Sequence, residues 1–317
     1  MNNKHYSFIV DKDQEPLRID KFLLNNISNF TRCKIQNSLQ AEKISVNNFL
    51  VKKNYRVKPL DVIRVMLDNP EEILPEDLSL NIVYEDDVLV VINKPYGMVV
   101  HQVTGNHKVT LLHAIKSHLN KIGMRSKPFR MGIVHRLDKE TSGLLIFAKN
   151  DFSLQHLTYQ FFTRSVYRRY LALVWGNLEG YGTMKGYIGR SFIDRRRMEI
   201  FRSFGKHSVT HYKVLEKLNI VTLVSCRIDT GRTHQIRAHL THLGNPIFND
   251  ISYGGRNNKQ KKIVKNCFSI LQGQFLHAQA FIFIHPITGK TMHFEIPLPQ
   301  KMYEVLEKFR NYRCVKK

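Results

Sequence analysis

The segment from Met131 to Asn150, MGIVHRLDKETSGLLIFAKN, contains the side chains that could do chemistry. A β-branched pair, Ile133 and Val134, begins it, and an apolar run from Leu144 to Ala148 closes it. Between them lies a dense polar group: His135, Arg136, Asp138, Lys139, Glu140, Thr141 and Ser142. This order predicts a strand, a loop and a second strand, with the charges confined to the loop.

Asp138 is the candidate reactive group, because a loop held between two strands keeps a carboxylate both fixed and accessible. Spacing alone also allows a second interpretation. In it, Asp138 accepts hydrogen bonds from nearby backbone N–H groups of a turn and pairs with Arg136 or Lys139.

A resemblance to a known family rests on three motifs: NKPYGMVVH, HRLDKETSG and TGRTHQIRAHL. They stand in the family's order and spacing, and the similarity extends over about residues 15 to 310. The chain resembles the RluA-type pseudouridine synthases, and its C-terminal half is most similar to their RluD branch. The combination favours a catalytic Asp138 over a turn residue, because a single motif would be unspecific.

The resemblance implies that uridine in RNA is converted to pseudouridine. The bond between C1′ and N1 breaks, the base turns, and it rejoins the sugar through C5, so no cofactor is required. The protein must supply a carboxylate, a proton acceptor for C5 and a pocket that retains the base. By resemblance, Asp138 is the carboxylate, Arg237 is its counter-charge, and Tyr170 stacks on the base and could accept the C5 proton. Arg136 would occupy the place that the flipped uridine leaves.

Composition favours a polyanionic partner. Of 317 residues, 49 are Lys or Arg and 26 are Asp or Glu, a formal charge of +23 at pH 7. Nucleic acid is the obvious partner, although a bias from AT-rich coding would account for part of the excess. The four cysteines form no CxxC pair, and no apolar run approaches the length of about 18 residues that spans a membrane. We therefore expect a cytoplasmic, monomeric protein without a membrane span or a metal site.

The N-terminal region reads as a small domain over residues 15–67, followed by an acidic, proline-containing linker over residues 68–80. Helices are predicted from Leu17 and from Thr31, and Asn47-Asn48 indicates a two-residue turn between strands. The region resembles the S4 RNA-binding module, and Arg32 and Lys34 are its candidate RNA contacts. The alternative is a packing domain whose basic face is only solvated.

Residues 81–317 are predicted to form the catalytic domain. The expected class is α+β, with a mixed, mainly antiparallel sheet flanked by helices. One stretch interleaves Arg195, Arg196 and Arg197 with aromatic residues, which suits phosphate contact and base stacking. Arg232 joins these RNA-binding candidates, and a solvated hairpin is the alternative. A basic run, Lys259, Lys261, Lys262 and Lys265, is expected to be a loop.

The motif TGRTHQIRAHL predicts a helix that is capped near Thr233 and ends at Gly244. Its face with His234, Arg237 and Thr241 could look into a cleft. The histidines of this helix lack an accompanying carboxylate or cysteine, and therefore we expect no metal.

The favoured hypothesis is a synthase that modifies uridines of large-subunit (23S) ribosomal RNA, where the resemblance implies the helix 69 stem-loop. Three alternatives remain. An RluC-like enzyme would modify other uridines of that RNA or of transfer RNA, a non-catalytic factor would bind RNA during ribosome assembly, and a nucleoside N-glycosidase would release free uracil.

Overall fold

The computed structural model describes residues 3–27, 32–68, 79–101, 110–123, 132–254, 262–271 and 273–314. The chain divides into two compact units, residues 1–74 and residues 75–317. The division falls within the segment predicted as a linker, of which residues 69–78 lie outside the described residues.

The first unit is a four-stranded antiparallel sheet with two helices. Its strands are β1 (Asn3–Ile9), β2 (Ile44–Val46), β3 (Phe49–Leu50) and β4 (Val62–Asp68), in the order β1-β4-β2-β3. Its helices are α1 (Ile19–Asn26) and α2 (Arg32–Gln40). Strand β1 precedes residue 15, where the sequence places the start of the domain, yet it pairs with β4 along its whole length.

Local sequence explains the framework of this unit. Asn47 and Asn48 adopt φ of 52° and 69° and join β2 to β3, as the two-residue turn predicts. Apolar residues of both helices and of the sheet form one buried core: Val10, Ile19, Phe22, Leu23, Ile27, Ile35, Leu39, Ile44, Val46, Val57, Ile63 and Val65.

The second unit is built on a ten-stranded sheet. Its strands are β5 (Ile82–Glu85), β6 (Leu89–Lys94), β7 (Ser142–Ala148), β8 (Tyr167–Trp175), β9 (Tyr181–Arg190), β10 (Met198–Phe201), β11 (Lys206–Leu218), β12 (Val221–Ile228), β13 (Leu276–Ile284) and β14 (Thr291–Glu295). Nine of them follow the order β10-β9-β11-β12-β8-β13-β7-β6-β5, and β14 pairs with β13. Of these strand pairs, only β13 with β7 is parallel. The mixed, mainly antiparallel sheet is therefore as predicted.

Strand β7 lies inside this sheet, and every one of its residues is buried. Such a strand needs a continuous apolar run instead of an alternating one, and SGLLIFA supplies it. Gly143 has φ of 115°, and a Cβ built there would lie 2.3 Å from the carbonyl oxygen of Ala278. Only glycine permits this approach of β7 to β13.

The described residues of the second unit also form five α-helices: α3 (Leu111–Lys121), α4 (Asp151–Phe162), α5 (Gln235–His242), α6 (Lys262–Ile270) and α7 (Gln300–Cys314). Asn150 caps α4 by accepting a hydrogen bond from the Ser153 backbone N–H at 2.8 Å. Helix α6 begins within the basic run that was expected to be a loop, and for residues 262–270 that prediction is wrong. Its apolar residues Val264 and Cys267 are fully buried at helical spacing, which outweighs the local charge.

Candidate active site

The loop that carries the candidate catalytic residue Asp138, called the Asp138 loop below, occupies residues 132–141 and leads directly into β7. Of the strand predicted at Ile133 and Val134, the described residues retain a single bridge between Ile133 and Phe147. Gly132, with φ of 72°, lies so close to Ala148 that an added Cβ would stand 2.0 Å from the Ala148 carbonyl oxygen. At the other end of the loop, the Thr141 N–H donates to the Asp138 carbonyl oxygen at 3.1 Å, and this turn presents the Asp138 side chain.

His135 fixes the loop to the core. Its Nε2 accepts a hydrogen bond from the Ile146 N–H at 3.2 Å, and its ring lies 4.9 Å from that of Phe161 and 5.0 Å from that of Phe281. Burial lowers the pKa of His135 to about 3, so the ring is neutral at physiological pH.

The Asp138 carboxylate bonds to Arg237 and not to its own turn. Arg237 Nη1 donates to Asp138 Oδ2 at 3.0 Å, and no backbone N–H of the described residues reaches the carboxylate. Arg237 also donates two parallel hydrogen bonds to Asp250, from Nε at 2.7 Å and from Nη2 at 3.0 Å. Two carboxylates therefore share one guanidinium, and Asp138 is held in place across 99 positions of sequence.

Burial lowers the pKa of Arg237, but the hydrogen bonds and charge of Asp250, with Asp138, outweigh it and raise this pKa above its ordinary value. Asp250 is itself buried, and its Oδ1 also accepts hydrogen bonds from the Ser252 and Tyr253 N–H groups at 3.1 and 3.2 Å. The Arg237 guanidinium carbon lies 4.7 Å from the centre of the Tyr253 ring.

Helix α5, which carries Arg237, does not begin with a cap at Thr233 as predicted. Its first flanking residue is His234 in a left-handed conformation with φ of 53° and no side-chain cap. The side chain of Gln235 organises the turn instead, since its oxygen accepts from the Thr230 hydroxyl and the Arg232 N–H. His234 Nδ1 lies 3.0 Å from the Tyr253 hydroxyl and its Nε2 lies 3.9 Å from Asp138 Oδ2.

Tyr170 lies on β8 between β12 and β13, paired with Cys226 and Ala278. Burial raises the pKa of its hydroxyl, nearby Arg168 lowers it and Asp138 raises it, and the net shift is upward. The phenol is therefore protonated at neutral pH.

Lys94, at the end of β6, is a fully buried lysine that contacts the Asp138 loop. Its Nζ donates to the carbonyl oxygens of Pro95, Met98 and Lys139 at 2.8, 2.9 and 3.1 Å. The Gly97 N–H also donates to the Lys139 carbonyl, so the turn after β6 is tied to the loop. Burial lowers the pKa of Lys94 to about 7, although the charge of Asp138 acts in the opposite direction.

A cavity of about 400 Å³, a volume suited to a small ligand, lies beside the Asp138 carboxylate. Asp138, Tyr170 and Arg237 line it, together with Arg136 and Arg232, which are exposed or half-buried at its wall. Arg136 makes no hydrogen bond or ion pair with a described residue, and Arg232 Nε donates to the His207 carbonyl oxygen at 3.0 Å.

The other predicted RNA contacts lie outside this cavity. Arg195 is exposed, and Arg196 forms a two-pronged pair with Asp194, both distances being 3.0 Å. Arg197 packs against the Tyr253 ring, 5.0 Å from its centre. In the first unit, Arg32 Nε donates to the buried Asp20 at 2.9 Å. The Lys34 side chain lies outside the described residues.

Three residues of the site had no assignment from sequence: Lys94, Asp250 and Tyr253. A lysine that ends the apolar run of β6 was a usable signal, because a charge in that position must find buried acceptors. Asp250 and Tyr253 follow Asn249 in an ordinary turn-like segment, and nothing local connects them with Arg237.

The described residues include no group of three or more His, Cys, Asp or Glu side chains arranged to hold a metal ion. His239, one of the helix histidines, is instead held by the hydroxyls of Thr210 and Ser208 at 2.8 and 3.2 Å. None of the helices in the described ranges is long and apolar enough to cross a membrane.

Comparison with known proteins identifies the family of the chain. The family model described as RNA pseudouridylate synthase matches residues 88–242, the span from β6 to the end of α5. An RNA pseudouridine synthase of Chlorobaculum parvum, itself uncharacterised, is 44% identical over 95% of this chain and 96% of its own. The chain belongs to the RNA pseudouridine synthase family, and the predicted RluA-type membership is confirmed.

Further relatives carry more specific names. The ribosomal large subunit pseudouridine synthase D of Nitrosomonas europaea is 38% identical over 98% of this chain and 89% of its own. Among solved structures, human RNA pseudouridylate synthase domain containing 4 superposes with a TM-score of 0.57 at 26% identity, covering 73% of this chain and 93% of that one. The predicted fold class is confirmed by this similarity for the synthase domain.

Proposed function

We propose that this protein isomerises uridines of large-subunit ribosomal RNA to pseudouridine, with Asp138 as the catalytic carboxylate. The contact between Asp138 and Arg237 inside a cavity that also holds Tyr170 carries the proposal. The relatives named as large-subunit synthases support this class of substrate.

The two oxygens of Asp138 differ in a way that suits this role. Oδ2 accepts the hydrogen bond from Arg237, whereas Oδ1 accepts none from any described residue. Attack at C1′ and removal of the C2′ proton both need an ionised oxygen that is free to approach the sugar. Arg237 binds one oxygen of the carboxylate and leaves the other available.

Tyr170 would stack on the uracil within the cavity. Because its hydroxyl is protonated at neutral pH, it must lose its own proton before it can serve as a base toward C5. Exposed Arg136 would enter the stack when the uridine turns out of it, the role that the family resemblance implies.

The first unit would add an RNA contact surface, as its S4-like pattern implies. Arg18, Arg32, Gln36 and Lys53 surround one surface recess there. Burial alone would raise the pKa of Asp20, but hydrogen bonds from Gln36, Arg32 and Arg18 lower it to about 2. Arg32 is thus partly neutralised by Asp20 within the unit, which reduces the charge that it can offer to RNA.

Carbodiimide-primer-extension mapping of pseudouridine in ribosomal RNA tests the proposal. Cells lacking the protein are complemented with wild type, with Asp138→Asn, or with Asp87→Asn as an exposed acidic control in the same unit. We expect stops in the helix 69 loop to vanish in the deletion and to return with wild type and Asp87→Asn only.

Purified Asp138→Asn should retain nearly the RNA affinity of wild type, because Asp138 contributes to chemistry and not to phosphate contact. If other stops vanish instead, the substrate site is wrong while the reaction stands. If no stop changes, the catalytic proposal fails and a role as an RNA-binding assembly factor replaces it.

A further inference from the structure

Arg168 is a buried guanidinium that the proposed reaction does not use. It lies on β8 two residues before Tyr170, only 5% of it is exposed, and it lines the same cavity. Alternate residues of a strand point to one face about 7 Å apart, so both side chains face the substrate space.

Arg168 forms no hydrogen bond or ion pair with any described residue, and its buried Nε has no acceptor. Its guanidinium carbon lies 5.2 Å from the centre of the Phe161 ring, a contact that offsets part of its desolvation. Burial lowers the pKa of Arg168, and Tyr170 and Asp229 act in the opposite direction. Asp229 lies within ion-pair distance of His211 and Arg227, at 2.9 and 3.7 Å.

Arg237 and Arg168 differ in their ion pairs. Arg237 is shared by Asp138 and Asp250, so those three groups together carry one net negative charge. Arg168 stays protonated at neutral pH because guanidinium is so strongly basic, yet no carboxylate of the described residues lies within ion-pair distance of it. A buried charge without a partner is costly, and an anion bound in the cavity would offset that cost.

The position of the guanidinium is constrained on another side. A Cβ added to Gly231, in the loop before α5, would lie 3.0 Å from Arg168 Nη1. The group is therefore seated between the Gly231 backbone and Phe161, and its planar fork of donors is oriented before any ligand arrives. Such a fork matches the oxygens of a phosphate.

We propose that Arg168 binds a non-bridging oxygen of a phosphodiester that adjoins the target uridine, and so holds the flipped nucleotide with its base at Tyr170 and its C1′ at Asp138. This inference rests on the proposed function, since it presumes an RNA substrate in the cavity. The net negative charge of Asp138, Arg237 and Asp250 disfavours a phosphate beside them, whereas Arg168 offers a buried positive charge in the same cavity.

The test is a double-mutant cycle of RNA-binding affinity, in which one change removes the charge of Arg168 and the other removes the charge of one phosphate of the RNA. All proteins carry Asp138→Asn, which prevents turnover, and the probe is a synthetic RNA hairpin of the helix 69 loop. Arg168→Gln is compared with Arg169→Gln, a neighbouring arginine whose guanidinium pairs with Glu295 and does not line the cavity. Each protein is titrated with unmodified hairpin and with hairpins that carry one uncharged methylphosphonate on either side of the target uridine.

We expect Arg168→Gln to weaken binding roughly ten- to a hundredfold and to lower the salt slope by about 0.7 to 0.9, the loss of one charged contact. One methylphosphonate should weaken the parent similarly and leave Arg168→Gln unaffected. Arg168→Lys, which keeps the charge but loses the fork, should restore the salt slope and only part of the affinity. Arg169→Gln should behave as the parent.

If both methylphosphonates weaken Arg168→Gln as much as they weaken the parent, the phosphate contact is refuted. If binding is unchanged while the same substitution in the active enzyme abolishes turnover, Arg168 acts on the base instead, and the proposal is equally overturned. Thermal unfolding followed by Trp175 fluorescence identifies a variant that fails to fold, and Arg168→Lys then carries the comparison. Isomerisation of the same hairpin by the enzyme with Asp138 intact is measured separately. Loss of that activity tests the proposed substrate, whereas the binding data test the contact between Arg168 and the phosphate.

Discussion

The pair between Arg237 and Asp250 should be a main support of the second unit as well as of Asp138. Asp250 is 1% exposed and receives two hydrogen bonds from the guanidinium, at 2.7 and 3.0 Å. Asp250→Asn keeps the shape of the side chain but removes its charge and turns one acceptor into a donor that faces Arg237. Removing one partner of a buried ion pair costs about 3–5 kcal/mol.

A matched control exists on the surface of the same unit. Asp194 binds Arg196 with the same two-pronged geometry, but Arg196 is 89% exposed. Water and salt screen that pair, so Asp194→Asn should leave the free energy of unfolding unchanged within error. Comparing the two substitutions separates the effect of burial from that of geometry.

The assay is urea denaturation followed by the fluorescence of Trp175, the single tryptophan, which lies on β8 in this unit. For Asp250→Asn we expect the free energy of unfolding to fall by about 3–5 kcal/mol, equivalent to roughly 6–20 °C in Tm. Isomerisation should also slow by about a hundredfold, because Arg237 loses the anchor that orients Asp138. Equal unfolding midpoints for Asp250→Asn and Asp194→Asn would refute this account of the site.

Two further predictions concern charges elsewhere. Because the pKa of Lys94 is lowered to about 7, the unfolded state binds one more proton than the folded state between about pH 7 and pH 10. In that range the free energy of unfolding should rise with pH by up to about 1.4 kcal/mol per pH unit relative to Lys94→Met. Parallel urea titrations of both proteins from pH 6 to pH 9 measure this, and identical slopes would show an ordinary lysine pKa. Neutralising exposed Arg195 should reduce the salt slope of RNA binding, whereas Arg197→Gln should chiefly lower stability because Arg197 packs on Tyr253; an unchanged slope for Arg195→Gln would remove it from the RNA interface.

Short-range patterns accounted for much of the secondary structure. The turn at Asn47-Asn48 needs only residues that tolerate positive φ. The apolar run from Leu144 to Ala148 likewise predicted the strand that β7 forms. Such features depend on hydrogen bonds and side-chain spacing within a few residues, so local sequence is sufficient to reveal them.

Predictions failed where a distant contact competed with a local preference. The β-branched pair Ile133 and Val134 forms one bridge among the described residues, and the preceding Gly132 packs against the backbone of Ala148. Helix α6 forms in a lysine-rich run because its apolar side is buried. In both cases, packing against another part of the chain outweighs the local signal.

For the candidate site, too, the sequence indicates some features and only the tertiary structure shows others. Motifs in the sequence were enough to name Asp138, Tyr170 and Arg237 as candidates, since these residues stand in patterns shared with a family. The partnership of Arg237 with Asp250, and the lack of a hydrogen-bond or ion-pair partner for Arg168 among the described residues, appear only when β8, the Asp138 loop and α5 are brought together. The attraction between a carboxylate and a guanidinium depends on the distance between them in space and not on their separation in sequence. Only folding brings Asp138 and Arg237, which are 99 positions apart, to a distance of 3.0 Å.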